Sequence, residues 1–468
     1  MPNFEASVEL PLPRDEVFGY HTRPAALDRL LPPRGNVELV ERPASLETGA
    51  IAVLKLGLLG LSKHWVAEHI RYEPPAAFTD IQRSGPLAAW RHDHLFEQTS
   101  DASSRLIDRV EYRVSRIPGV DAAARQLVSG ELRSMFAYRH RVTSQDVQFI
   151  QGLQSSGLRK IAVSGSGGLI GHRLVALANV AGIDVVCLHR VKDAAQIATS
   201  PSHDERYSFA TQTPWHVESG GIRVADWEGV DAFIHLAGEN IAGGRWTDAF
   251  KKKLYDSRVG ATRRLIDGLT RDGCLPATVV TASGAGIYPS SGAIQLGEED
   301  PAADDFLGTL ATDWEAASAI VADRGSRWCA GRLGMVLDPR HGALVPLLWQ
   351  TRLFAAGRVG DGSAYWSWIE RDDAASALLH LAANADCQGP YNLSGEPETN
   401  RDFFNALATV MKRPMWLAAP ASLLRVALGE LADGALLRSN NLGNGKLRSS
   451  GYRLRYPQLL EALRHLLV

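Results

Sequence analysis

Hydrophobic and polar positions follow two different rules along this chain. "FEASVELPLP", 4–13, alternates with a period of two and predicts a strand. "RDEVFGYHTRPAALDRLLPP", 14–33, predicts short helices interrupted at Pro24 and Pro32. Six strand-like stretches follow, separated mostly by turn residues: "VELVE", "GAIAVLKLGL", "HWVAEHIRYE", "AFTDIQR", "WRHDHLFEQT" and "SRLIDRVEYRVS". A long helix is expected in "DAAARQLVSGELRSMFAYRHRV", where Ala123, Leu127, Leu132, Met135 and Phe136 approximate one apolar face. "QFIQGLQSSGL", 148–158, has the composition of a short polar linker. From Arg159 onward short continuous apolar runs alternate with helical patterns, the mark of a parallel sheet covered on both faces.

The second regime opens on one βαβ unit, "KIAVSGSGGLIGHRLVALANVAGIDVVCLHR". Gly165, Gly168 and Gly171 stand between a buried strand and an apolar helix. Such glycines let the backbone turn tightly and approach a pyrophosphate, with the helix N-terminus aimed at the phosphate charge. The second strand ends in His189 and Arg190, where an NAD site would usually place Asp or Glu. A cation there suits a 2′-phosphate, so Arg190, helped by His189 or Lys192, points to NADP(H). The alternative is a solvated surface arginine. "VDAFIHLAGEN", 230–240, reads as the fourth strand running into a small-residue turn at Ala237 and Gly238. His235 either faces the cofactor or is a satisfied strand-end histidine.

With 468 residues the chain is too long for one ordinary core. Its net charge of -2, with basic residues spread out, gives no pull toward nucleic acid. The four cysteines form no CxxC pair and no His cluster has metal-ligand spacing, so no metal site is expected. The N-terminus lacks a signal-peptide pattern and no apolar run is long enough to span a bilayer. A cytoplasmic location is expected.

The order of elements before 147 resembles the helix-grip fold of the START and SRPBCC superfamily. That resemblance implies a cavity for an apolar or lipid-like ligand, which Trp65, His69, Trp90, His92, His94 and Tyr112 would line unless they simply fill a core. Residues 160–468 resemble the short-chain dehydrogenase/reductase superfamily in its extended epimerase/dehydratase branch, more narrowly the atypical oxidoreductases once described as cell-division inhibitors. "SGSGGLIG", "HLAGENIAGGRWTDAFKKKLYDSRVGATRRLID", "DWEAA", "GRLGMVLD", "WSWIERDD" and "RPMWLAAPASLLRVALGE" carry it. The expected fold is a doubly wound Rossmann-type α/β sheet with a C-terminal cap, behind an α+β helix-grip domain. The expected divisions are 1–147 for the helix-grip domain, 148–158 for the linker, 159–385 for the Rossmann domain and 386–468 for the cap. The resemblance implies cofactor contacts at Gly165, Ser166, Gly168, Leu169, Ile170 and Gly171, at His189 and Arg190, at Leu236, Ala237 and Gly238, and at Lys253 and Arg258.

Many enzymes of this superfamily carry Tyr-x-x-x-Lys on a helix downstream, the Lys lowering the pKa of a Tyr that exchanges the substrate proton. Here those positions read Leu310 and Trp314, and no tyrosine has Lys four places later. Ser283 is the nearest hydroxyl to the usual carbonyl-orienting position, and Tyr288 is either a substitute proton donor or a packing aromatic. Glu239 is a further candidate, its alternative being a solvated turn carboxylate. Asp372 and Asp373 are expected to cap the helix "AASALLHLAAN" rather than catalyse. Two functions fit. One is an NADP(H)-dependent oxidoreductase or epimerase-like enzyme on a small or apolar substrate. The other is a non-catalytic NADP(H)-binding redox sensor or ligand carrier.

Overall fold

The computed structural model describes residues 3–34, 36–58, 61–115, 117–199, 204–415 and 417–468. The chain divides into two compact units. Residues 1–155, with the short segment 179–182, belong to the first, and 156–178 with 183–467 to the second.

In the first unit β1 (Asn3–Leu10) leads into α1 (Arg14–Thr22) and α2 (Ala26–Leu30). Six strands follow: β2 (Asn36–Glu41), β3 (Ile51–Leu58), β4 (Leu61–Glu73), β5 (Ala77–Ser84), β6 (Ala89–Ser100) and β7 (Ser103–Arg113). They form one antiparallel sheet in the order β1-β7-β6-β5-β4-β3-β2, which brings the first strand beside the last. The long helix α3 (Pro118–Leu153) closes one face. Leu132 and Phe136 of α3 pack on Trp90, Val110 and Tyr112, with Trp65 at the edge of the cluster. Several aromatic positions offered for a cavity lining therefore fill a core. Leu127 is 73% exposed and leaves the expected apolar face, and the Ala123 side chain lies outside the described residues. Asp146 of α3 receives both Nε and Nη2 of Arg29 and the Tyr20 hydroxyl, all out of solvent, and so fastens α1 and α2 to the helix. The helix runs on to Leu153, six residues into the expected linker, because Val147 and Leu153 remain buried.

The second unit is built on an eight-stranded sheet. Its strands are β8 (Lys160–Ser164), β9 (Asp184–Val191), β10 (Thr211–His216), β11 (Gly221–Ile222), β12 (Ala232–His235), β13 (Thr278–Gly284), β14 (Arg327–Leu333) and β15 (Gly389–Leu393). The order is β11-β10-β9-β8-β12-β13-β14-β15, parallel except for β11. Parallel strands need crossover connections, here supplied by helices such as α4 (Leu169–Val180) between β8 and β9. Between β12 and β13 run α5 (Asp248–Tyr255), a π-helical turn over Asp256–Gly260, and α6 (Ala261–Arg271). Helix α7 (Phe306–Ala319) joins β13 to β14. One face of the sheet buries Ala162, Val186, Phe233 and Val279 against Leu265, Ile266 and Leu269 of α6.

Strand β15 belongs to the main sheet, paired in parallel with β14, so the expected cap boundary at 385 cuts through the sheet. "GPYNL" opens with two turn-type residues, which hid a strand whose Tyr391 and Leu393 are buried. The segment after it packs back on the loops beyond β12 and β13. Arg438 donates to the carbonyls of Gly286 and Tyr288 and pairs with Asp305, Asn440 donates to Ala285, and Lys251 pairs with Glu430. Among the described residues no helix is long and apolar enough to cross a membrane, and all four cysteines are free.

Candidate nucleotide-binding site

The strand order reverses direction between β8 and β12, and both strands deliver a turn to the same carboxyl edge. In open α/β sheets this crevice is where ligands bind. Gly165 follows β8 with φ +72°, and a Cβ there would stand 2.9 Å from the Leu236 carbonyl carbon. A Cβ on Gly171 would overlap the Gly165 carbonyl oxygen. The two glycines are thus required for different reasons: one for a left-handed turn against a neighbouring turn, the other for contact of helix with loop. Helix α4 begins at Leu169, so its unsatisfied first-turn amides and positive dipole end face the crevice. Ser166 is buried, Gly168 exposed, and Leu169 and Ile170 half-buried. Tyr207, which no sequence signal marked, holds the loop from behind by donating to the Ser166 carbonyl at 2.8 Å.

At the end of β9, Arg190 is exposed and has no ion-pair partner among the described residues. His189 is half-buried, and neither of its buried ring nitrogens has a hydrogen-bond partner among the described residues. Burial pushes its pKa down, with the nearby Arg223 charge adding to the effect. A second cation sits where sequence spacing could not place it. The Arg206 guanidinium, paired with Asp204, lies 3.4 Å from the position of a Cβ on Gly167.

Beyond β12 the turn Leu236-Ala237-Gly238 meets Arg258. Gly238 leaves room for this guanidinium: a Cβ there would stand 3.2 Å from Arg258 Cζ. Arg258 projects from the π-helical turn, a local distortion often found at functional sites. Nη2 donates to the Glu239 carbonyl at 2.9 Å, and Cζ lies 5.2 Å from the Trp314 ring centroid. Nη1 is buried with no hydrogen-bond partner among the described residues, and burial pulls the pKa of the group down to about 10. An arginine desolvated this far, with no carboxylate in hydrogen-bond contact, is poised for an anion. Lys253 instead extends into solvent and pairs with the Glu239 carboxylate at 3.0 Å. That pairing engages both groups in a surface ion pair.

His235 is the satisfied strand-end histidine. Its Nδ1 lies 2.6 Å from Ser164 Oγ and its Nε2 2.9 Å from Thr262 Oγ1, and Trp314 Nε1 donates to the same Thr262 oxygen at 3.1 Å. Burial holds this imidazole down at about 4, so it is neutral. Because Ser164 Oγ already receives the Leu236 amide, its proton is available to Nδ1, and Nε2–H is left to donate to Thr262. Trp314 therefore anchors α7 to α6 from the position where Tyr-Lys enzymes carry their lysine. Leu310 packs with Leu254 and Ala282.

Ser283 lies near the carboxyl end of β13, two residues past the pairing of Thr281 with His235. Its hydroxyl donates to Glu315 Oε1 at 2.6 Å, and Arg332 closes on both oxygens of Glu315 at 2.9 and 2.8 Å. Arg332 also donates to the Tyr288 hydroxyl at 2.7 Å, which in turn donates to Asn392 Oδ1 at 2.8 Å. Tyr288 is fully buried in this network, and burial raises its pKa despite the adjacent Arg332. Both sides of the Tyr288 hydroxyl are thus committed to protein groups. Ser283 and Tyr288 are brought into one network, but through Glu315 and Arg332.

The carboxylates of "ERDD" also take roles other than expected. Glu370, not an aspartate, caps the helix α8 (Arg371–Ala383), accepting from the Asp372 and Asp373 amides. Asp372 forms a two-point pair with Arg173 of α4. Asp373 accepts from the Arg455 and Tyr456 amides and the Tyr452 hydroxyl. A capping Glu is unusual because its side chain is one methylene longer than Asp, which is why "DD" looked like the cap.

Comparison with known proteins agrees with this geometry. The family model described as "NAD dependent epimerase/dehydratase family" matches residues 161–394, and "Domain of unknown function (DUF1731)" matches 419–466. Epimerase family protein Mb2239 of Mycobacterium bovis is 34% identical over 307 residues, covering 65% of this chain and 96% of that protein. A crystal structure of a nucleoside-diphosphate sugar epimerase from Corynebacterium glutamicum superposes with a TM-score of 0.78 at 27% identity, over 99% of this chain and 90% of that one. The human epimerase family protein SDR39U1, solved with NADPH, gives a TM-score of 0.57 at 26% identity, over 66% of this chain and 98% of that one. With a glycine cradle at the switch point, an anion-seeking arginine beside it and these similarities, the chain belongs to the NAD dependent epimerase/dehydratase family.

Proposed function

We propose that this protein binds NADP(H) at the switch-point crevice and acts as an oxidoreductase or epimerase-like enzyme on a small or apolar substrate. The observation that carries the cofactor choice is Arg190, exposed at the end of β9 where a 2′-hydroxyl-binding carboxylate would otherwise stand. The glycine cradle and the unpartnered Arg258 Nη1 fit the pyrophosphate half. The human relative solved with NADPH supports the same reading. When bound, the nicotinamide supplies or takes a hydride. Ser283 is the residue proposed to meet the substrate: with its proton committed to Glu315 Oε1, Oγ offers lone pairs to a substrate hydroxyl. Arg332 keeps Glu315 fixed as the acceptor of that proton.

Calorimetry with both cofactors tests the proposal. NADPH is expected to bind more tightly than NADH, and Arg190→Ala to remove most of the preference. Equal affinities in the parent protein overturn the assignment of Arg190.

A second reading, a non-catalytic NADP(H) sensor or ligand carrier, is favoured by the enclosure of Tyr288 and by Trp314 at the lysine position. Screening NADPH oxidation against aldehydes, ketones and quinones separates the two. Turnover that falls in Ser283→Ala supports the enzyme, whereas an inert panel with intact NADPH binding supports the sensor. We also propose a START-like, ligand-binding role for the first unit. Its support is the order strand, two short helices, six antiparallel strands and one long helix. Mass spectrometry of small molecules co-purified with the protein tests it, an apolar compound being the expected result. Four free cysteines support a reducing, cytoplasmic setting.

A further inference from the structure

The interior of the first unit holds a cluster that none of the nucleotide chemistry uses. Asp80 on β5 is the direct cross-strand partner of His92 on β6, and His94 follows two residues later on the same face. Asp108 on β7 is the cross-strand partner of His94. All four side chains are mostly withdrawn from solvent, His92 and Asp108 most of all.

The distances fall into two sets. On one side, Asp80 Oδ2 lies 3.3 Å from His92 Nδ1 and 3.6 Å from His94 Nε2. These separations are longer than a good hydrogen bond. They are close to the spacing of about 3.3 Å between neighbouring ligands placed tetrahedrally at about 2.0–2.1 Å from one ion. The three ligand atoms all lie within 4.8 Å of one another. On the other side, the remaining ring nitrogens, His92 Nε2 and His94 Nδ1, each lie 2.9 Å from Asp108 Oδ1. Asp108 is itself held by His140 Nε2 of α3 at 2.6 Å. Of the two ring nitrogens, His92 Nε2 is hydrogen-bonded to Asp108, whereas His94 Nδ1 is close without hydrogen-bond geometry. Metal-bound histidines commonly direct their far N–H at a carboxylate as His92 does, which fixes the ring and raises its basicity. Asp80 Oδ1 is occupied by Trp90 Nε1 at 3.3 Å, which leaves Oδ2 turned to the histidines.

We propose that Asp80, His92 and His94 form a divalent transition-metal site, with Asp108 and His140 as the supporting shell. Two imidazoles and one carboxylate on one side of the ion leave further coordination positions open, the arrangement of a site that can take an exogenous ligand. Borderline-soft ions such as Zn²⁺ and Co²⁺ suit this donor set better than Mg²⁺ or Ca²⁺, which prefer oxygen ligands.

The test uses the full chain, stripped with chelator and titrated with Co²⁺ while visible absorption is recorded, and with Zn²⁺ by calorimetry. The expected result is saturable, stoichiometric binding with cobalt ligand-field bands. Asp80→Asn and His92→Gln are expected to abolish the bands. Asp108→Asn is expected to weaken binding about tenfold to a hundredfold through the supporting shell. Glu370→Gln, at the second buried group of Glu370, Asp372 and His465, is expected to leave the bands unchanged. Absence of saturable binding by the parent protein overturns the proposal without recourse to any variant. So does a cobalt spectrum that survives in folded Asp80→Asn or is lost in Glu370→Gln.

Discussion

At the scale of single residues, the second unit is marked by cations whose desolvation is only partly compensated. Arg258 is stacked on Trp314, bonded to one backbone carbonyl and left with a buried N–H. A charge-assisted hydrogen bond contributes about 1.5–3 kcal/mol. Arg258→Met is therefore expected to weaken NADP(H) binding about tenfold to a hundredfold, read by calorimetry, while thermal stability holds or rises. A fall in stability with unchanged affinity would make Arg258 a structural residue. Glu315 and Arg332 are the opposite case, a buried pair with every strong donor used. Removing one partner of such a pair costs about 3–5 kcal/mol. Glu315→Leu is expected to lower denaturant stability by that amount, and the double variant Glu315→Leu/Arg332→Met by much less. The stability of the two variants in urea checks this. Arg332 comes from a strand seventeen residues on and meets Glu315 only when β14 docks beside β13.

At the scale of elements, the glycine loop and the cap of α8 carry the consequences. Gly171→Ala places a methyl group against the Gly165 carbonyl. The loop then has to move away from the pyrophosphate position, so this variant is expected to lose cofactor affinity in calorimetry more than it loses helix content by circular dichroism. Glu370 is buried at the start of α8, and burial, with Asp372 and Asp373 adding negative charge, raises its pKa to about 8, against the offsetting Arg371. His465 also faces this carboxyl. The folded state then holds a proton that the unfolded state releases near 4.5, so stability is greatest below that value and is lost as pH rises toward about 8. The thermal midpoint is expected to fall between pH 5 and 8 less steeply in Glu370→Gln than in the parent. Parallel slopes would show that the cap does not titrate there. The βαβ unit itself was legible because its glycines act over a few residues. The extra strand β15 was not, since its strand character comes from pairing with β14 rather than from "GPYNL".

For the whole molecule, two units with separate cores predict separable unfolding. Scanning calorimetry is expected to show two transitions. A ligand confined to one unit stabilises that unit by about 2.7 kcal/mol at a hundredfold excess over its Kd. NADPH is therefore expected to raise one transition and leave the other in place, and a uniform shift would mean that the units unfold as one.

What could be read along the chain is what local rules encode. Period-two strands, a gap-free apolar strand before a glycine turn, and a helix after it are set by interactions among near neighbours. These were enough for the nucleotide-binding fold, the loss of the Tyr-Lys pair and the cation at Arg190. Tertiary structure alone decided which polar residues meet. Tyr288 became enclosed because Arg332 and Asn392 arrive from β14 and β15. Glu370 took the cap from Asp372 and Asp373 because those two are drawn to Arg173 and to the segment around Tyr456. The histidines at 92 and 94 showed no metal-ligand spacing along the chain, since their partner carboxylates come from the strands on either side. The physical reason is common to all three. A buried polar group must find its partner within about 3 Å, and in a sheet that partner lies across strands, at a sequence distance no local pattern records.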